Sequence, residues 1–397
     1  MTLDTDDERR RFAFVDHLDV GVRPVTAPLL PARAVVAALL VVMVLTATPA
    51  LLGHRIGTTP RFGPAGNGLI AWAIDGDIIA GDPGAGTQKA LIAGPPIDRN
   101  PLFSRDGTRL LFFRQISGDQ NRFDLFVSGA DGSDPVMLSA VPIPMPDAVD
   151  WAPDGNSLLV NDSEGGLFRY PVRGGRPRLL ADGVHLQRDA LRPPDGGEIL
   201  YERQAEPEAL YVMAGDGSRP RELVGPTVDA CSCTVAGPPR WSADGRAVAF
   251  TIRLDDAESR IYVVDADGTG LRRLTDESGP GIELDPTWSP AGDRVAFDRW
   301  QGGPGDRQIR PIGIVAATGG HVESAGLAPA AEGALIEWSP DGRTILSLPK
   351  TLVGAFASYP DATGSVARPV FIDVANGSSR QIDWSVGSVA SWQRRAS

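Results

Sequence analysis

From Gly66 onward, hydrophobic residues fall in short runs separated by clusters of Gly, Pro, Asp and Ser. A representative stretch reads Ala247-Val248-Ala249-Phe250, then Ile261-Tyr262-Val263-Val264, then Leu271-Arg272-Arg273-Leu274-Thr275, with the turn Asp265-Ala266-Asp267-Gly268 before the last run. Short apolar runs of this length, bounded by residues that tolerate positive φ, predict β-strands joined by tight hairpins. One segment breaks the pattern: Ala34 to Gly53 is continuous and uncharged, with the spacing of a helix.

The strand pattern repeats. Its clearest copies are PRWSADGRAVAFTI (Pro239–Ile252), PTWSPAGDRVAFDR (Pro286–Arg299) and IEWSPDGRTILSLP (Ile336–Pro349). Weaker copies are PLFSRDGTRLLFFR (Pro101–Arg114), VDWAPDGNSLLVND (Val149–Asp162) and ALRPPDGGEILYER (Ala190–Arg203). Aligned on the aromatic, they place Phe103, Trp151, Arg192, Trp241, Trp288 and Trp338 in one column, at steps of 48, 41, 49, 47 and 50 residues. Periods of about 40 to 50 residues with four strands each are those of propeller blades. The expected fold is therefore all-β, a propeller of four-stranded antiparallel blades.

The repeat resembles the TolB-type propeller repeat, whose signature is a WSPDG turn followed by an apolar strand. The likeness covers Gly66 to the C-terminus. It implies the fold, and it implies that one end of the propeller takes part in protein binding. The signature residues expected to be structural are Phe103, Trp151, Trp241, Trp288, Trp338 and Trp392 in the aromatic column, and Asp106, Asp154, Asp195, Asp244 and Asp341 in the turns. The pattern departs at Arg192-Pro193, where the aromatic is missing, and at Ala291, where the usual Asp is replaced. Three strands near the start (Leu69–Trp72, Asp77–Ala80, Lys89–Ile92) lack a WSPDG strand, and a lone one, Val389–Trp392, ends the chain. Joining them leaves no open edge and gives seven blades; six is the alternative if one unit is eroded.

The uncharged stretch 34–53 matches a hydrocarbon core of about 30 Å at 1.5 Å per residue. Arg9, Arg10, Arg11, Arg23 and Arg33 precede it, so the positive-inside rule keeps residues 1–33 as a cytoplasmic tail without fixed structure and exports the rest. The expected organisation is tail 1–33, transmembrane helix 34–53, linker 54–66 and propeller 67–397, on the outer face of the membrane. The alternative is a signal peptide cleaved near Ala50, which exports the propeller equally.

Composition narrows the chemistry. The net charge of −12 argues against a nucleic-acid partner. The two cysteines, Cys231 and Cys233, cannot make a structural zinc site with only four histidines in the chain. No G-x-S-x-G, HExxH or P-loop occurs. No catalytic residues, metal or cofactor are expected. What recurs instead is acid just before the aromatic column: Asp98, Asp147, Asp150, Asp189, Glu283, Asp285 and Glu337. At the entry of the innermost strands these could form an acidic channel mouth that meets a basic partner, or cap turns and pair with neighbouring groups. The expected function is a non-catalytic module, anchored in the membrane, that binds a protein or other ligand of the cell envelope. A transmembrane sensor acting through the short tail, and a propeller enzyme, are the alternatives.

Overall fold

The computed structural model describes residues 61–396, apart from 140–141, 145, 147, 163–164, 186–189, 192, 204–208, 226–233, 256–257, 277–280, 302–307, 310, 328–333, 350–367 and 388–389. The compact unit Gly57–Ser397 is an all-β propeller of seven sheets. Among the described residues no helix is long and apolar enough to cross a membrane, and the expected tail, the segment 34–53 and both cysteines lie outside those residues.

Blade 1 is composite. Its strands Gly66–Ile74, Asp77–Asp82 and Thr87–Ile92 are completed by Ser391–Arg395, which pairs antiparallel with the first (Ile70 opposite Trp392, Ala71 opposite Ser391). Blades 2 to 7 begin with Asp98–Phe103, Ala148–Trp151, Val184–His185, Thr234–Trp241, Gly281–Trp288 and Ala334–Trp338, and each runs outward in chain order through three more strands. Blades 2 and 6 each carry one further short pairing, by Ile143–Pro144 and Gln308–Ile309. The count is seven, and the chain ends close it.

Each sheet is sandwiched between two others, which explains why its middle strands are apolar on both faces. In Ala247–Arg253, the side chains of Val248, Phe250 and Ile252 pack with Leu200, Leu210 and Val212 of blade 4. Ala249, between them in the sequence, joins Val295, Phe297 and Val315 of blade 6. A period of two thus feeds two separate inter-blade cores.

The signature turn is built by its own side chains. Ser242 Oγ donates to Asp244 Oδ1 at 2.7 Å and accepts from the Ala247 N–H at 3.0 Å, while Gly245 takes φ +70°. Asp106, Asp154, Asp195, Asp244 and Asp341 each accept the N–H two residues on, at 2.8–3.1 Å. Blade 6 shows why Ala291 is tolerated: Ser289 Oγ donates to Asp293 at 2.7 Å, so the carboxylate is supplied from two residues downstream. For Asp106, burial alone would raise the pKa, but hydrogen bonds from Ser104 and Thr108 outweigh it and hold the carboxyl below its ordinary value. Asp154 and Asp244 are lowered in the same way. A folded pKa below the unfolded one means that these turns add stability above the unfolded value of about 3.9 and lose it as pH falls further.

Candidate functional site

The inner strands converge on a central cavity of about 180 Å³ at the WSPDG end of the channel. Six of the seven blades contribute to its wall: Phe103 and Arg105 from blade 2, Asp150 and Trp151 from blade 3, Arg240 from blade 5, Thr287 from blade 6, Glu337 and Trp338 from blade 7, and Trp392 and Arg394 from blade 1.

The aromatic column holds this wall together. The indole N–H of Trp151 donates to the Leu102 carbonyl at 3.1 Å, Trp241 to Ala190 at 3.1 Å, Trp288 to Arg240 at 3.0 Å and Trp338 to Thr287 at 3.1 Å. Each bond runs from one blade to the blade before it. The ladder changes at the closing seam. Phe103 has no side-chain donor, and there the Phe103 backbone N–H donates to Ser391 Oγ at 3.0 Å. The buried Trp392 indole N–H has no acceptor among the described residues.

The recurring acids do not share one level. Asp150 and Glu337, one residue before the aromatic, line the cavity. Asp98 and Glu283 stand five residues before it, so about 13 Å of strand (four residues at ~3.3 Å) separates the two levels. Asp98 is buried and held by both oxygens, at 2.8 and 2.9 Å, to the Arg114 guanidinium. Burial raises its pKa, opposed by the hydrogen bond and the charge of Arg114. Asp150 pairs with Arg105 at 2.9 Å and accepts the Leu191 N–H of blade 4 at 3.2 Å. Glu337 accepts the Trp392 N–H of blade 1 at 3.2 Å. Glu283 accepts the Thr275 hydroxyl at 2.6 Å and the Ile261 N–H at 3.2 Å, both in the blade 5 segment. Asp285 sits at a bulge with φ +55°, as Asn100 does at +50°, a conformation that Asp and Asn tolerate. Asp147 and Asp189, with the column position Arg192, lie outside the described residues.

Burial raises the Glu283 carboxyl above its ordinary value despite those two hydrogen bonds. With the folded pKa above the unfolded one, its contribution is complete at pH below the unfolded value (about 4.3) and declines as pH rises through the folded value. We therefore expect Glu283→Gln to match the wild type in urea unfolding near pH 4. At neutral pH the variant should become the more stable of the two. A variant that is less stable at neutral pH would contradict this.

A second ring, at the outer strands, has no counterpart in the aromatic column. Arg178, Arg221, Arg272 and Arg380 each reach across to a turn carbonyl of the next blade, Asp216, Ala266, Ala317 and Pro83, at 2.7–2.9 Å. The outer turns also fit closely against the preceding blade, at Gly217 under the Arg178 contact and at Gly132, where no arginine among the described residues reaches across. A Cβ on Gly217 would lie 2.5 Å from the Leu180 carbonyl oxygen, and one on Gly132 would lie 2.3 Å from that of Leu91. The signal is present in the sequence as PRLL, RELV, RRLT and SRQI following each Gly-rich turn.

No family model matches the chain. An uncharacterized protein of Agrobacterium fabrum, Atu1656, is 27% identical over 244 residues, covering 49% of this chain and 82% of that protein. An oligogalacturonate lyase from Vibrio parahaemolyticus aligns with a TM-score of 0.55 at 13% identity, over 81% of this chain and 86% of that one. A putative TolB from Agrobacterium tumefaciens aligns with a TM-score of 0.45 at 20% identity, over 71% and 95%. At these identities the likeness to solved structures is one of fold, the β-propeller.

Proposed function

We propose that this chain is a membrane-anchored, extracytoplasmic propeller that binds a protein or other ligand of the cell envelope and catalyses no reaction. The observation that carries the reading is the central cavity: six blades supply a rigid wall of guanidinium groups, indoles and carboxylates, of which Asp150 is ion-paired to Arg105. A wall shared by so many blades presents fixed groups to a partner, as a binding surface requires. Segment 34–53 and the arginines before it support the anchor and the outward location.

Capture from detergent-solubilised membranes tests the reading. The full chain and a chain lacking residues 2–33 should retain the same envelope component, and Arg240→Glu should lose it. Loss on removing the tail alone would favour a sensor that works through a cytoplasmic partner. Turnover of oligogalacturonate by the purified chain would make it an enzyme. Protease added to intact cells should digest the propeller; its protection would contradict the outward location.

A further inference from the structure

The ladder of indole hydrogen bonds has one rung unmade. Trp151, Trp288 and Trp338 each donate to the carbonyl of the residue just before the preceding column position, Leu102, Arg240 and Thr287, at 3.0–3.1 Å. By the same step Trp392 would donate to the carbonyl of Glu337. Instead the Glu337 side chain accepts the Trp392 backbone N–H at 3.2 Å, and the Trp392 indole N–H is buried without an acceptor among the described residues. Depth does not explain the difference, since Trp338 and Trp392 are both 6% exposed. A buried donor left unpaired is costly, and native structures rarely keep one. This one belongs to a residue that lines the central cavity.

We infer that the cavity binds an uncharged amide group of a partner, whose carbonyl oxygen accepts the Trp392 indole N–H and completes the ladder. The inference rests on the binding reading above and names the chemistry of its ligand. The rungs at Trp151, Trp241, Trp288 and Trp338 show what this wall places opposite an indole, in each case a neutral peptide carbonyl. An anionic acceptor would face the Glu337 carboxylate, already set against the Trp392 backbone, and like charges repel in a wall of low dielectric. Phe103, Trp151, Ile336 and Trp338 line the same space and suit the carbon part of the group. Size favours one anchoring residue: about 180 Å³ is below the ~300–1,000 Å³ of sites for larger ligands. The amide can be a carboxamide side chain or a backbone peptide group, and the two sources are separable by probe.

The full chain in detergent, labelled with nitrogen-15 at its eight indoles, is titrated with acetamide, a primary carboxamide, and with N-methylacetamide, a peptide group. Acetamidinium, a cation of the same shape without the carbonyl oxygen, and acetate, its anion, are the counterparts. The readout is the Trp392 indole N–H resonance, assigned by its absence in Trp392→Phe, a change the column already tolerates at Phe103. At least one amide should move that resonance downfield to saturation, about tenfold more tightly than acetamidinium or acetate. The tighter amide identifies the source. Trp392→Phe should weaken it about tenfold, followed by the cavity fluorescence, and Arg380→Gln on the outer ring should leave it unchanged. Independently of any probe, Trp392→Phe should lower the urea midpoint less than Trp338→Phe, which strands the Thr287 carbonyl. Equal losses in the two variants would overturn the unmade rung. No shift with either amide, acetate or acetamidinium binding as tightly as the amides, or wild-type affinity in a folded Trp392→Phe would overturn the site. Should Trp392→Phe not fold, the order of the probes on the wild-type indole resonances decides alone. Partner capture without any amide binding would remove the amide site and leave the binding reading standing. Amide binding without a captured partner would uphold the site and count against the envelope partner.

Discussion

Deleting residues 391–397 is expected to abolish cooperative folding. The strand Ser391–Arg395 is the inner strand of blade 1, and it also ties blades 2 and 7 to that blade. Ser391 Oγ accepts the Phe103 N–H, Gln393 Nε2 donates to the Gly107 carbonyl at 2.8 Å, and the Trp392 N–H reaches Glu337. Trp392 is buried and meets Phe371 edge-on at 6.0 Å. Losing one such tryptophan costs about 3–5 kcal/mol. Removing the strand also strips the ladder from Gly66–Ile74 and leaves an unpaired edge beside the channel. Against a total stability of about 5–15 kcal/mol, little native state should remain. Circular dichroism on heating should show no sigmoidal transition, and the protein should aggregate. A melt like that of the full chain would mean that the other three strands of blade 1 suffice to close the ring.

The second large effect is expected at Trp384, in the seam between blades 7 and 1. Its ring stacks on Trp72 at a centroid distance of 5.1 Å with planes 21° apart, and Phe371 meets it edge-on at 6.1 Å. Across the seam, Gly81 has no side chain because a Cβ there would lie 2.5–2.8 Å from the Trp384 ring. The site is shaped for an indole and cannot collapse around a methyl group without moving two blades. Trp384→Ala should therefore cost about 3–5 kcal/mol. In urea the midpoint should fall with the slope unchanged, the mark of lost stability in an otherwise similar transition. A loss below about 1 kcal/mol, within the range of surface substitutions and small repackings, would show that the seam is sealed elsewhere.

The fold was legible because a propeller writes each blade into the sequence separately. Six phased copies of one turn and one strand placed the blades, and the orphan strands at the two ends predicted their joining. Even the departure at Ala291 has a local remedy in Asp293. The site was less legible, and height along a strand explains why. A column of acids reads as one ring when spacing is counted from the aromatic, but Asp98 and Asp150 stand at different heights, and only the lower set faces the cavity. The cavity arginines come from two positions of the repeat. Arg105 and Arg394 both stand two residues after the column aromatic, Phe103 and Trp392, whereas Arg240 stands one residue before Trp241, and most other copies carry no arginine at either place. Trp384 lies outside the column altogether, in a connection that packs only because the ring closes.

We propose that this propeller binds a partner through its central cavity. Site-specific photocrosslinking in native membranes addresses it directly, with the reactive side chain placed at position 240 on the cavity wall or at position 380 on the outer ring. One discrete adduct is expected at position 240, absent at 380 and suppressed by Arg394→Gln. No adduct at 240, or the same adduct at both positions, would contradict it.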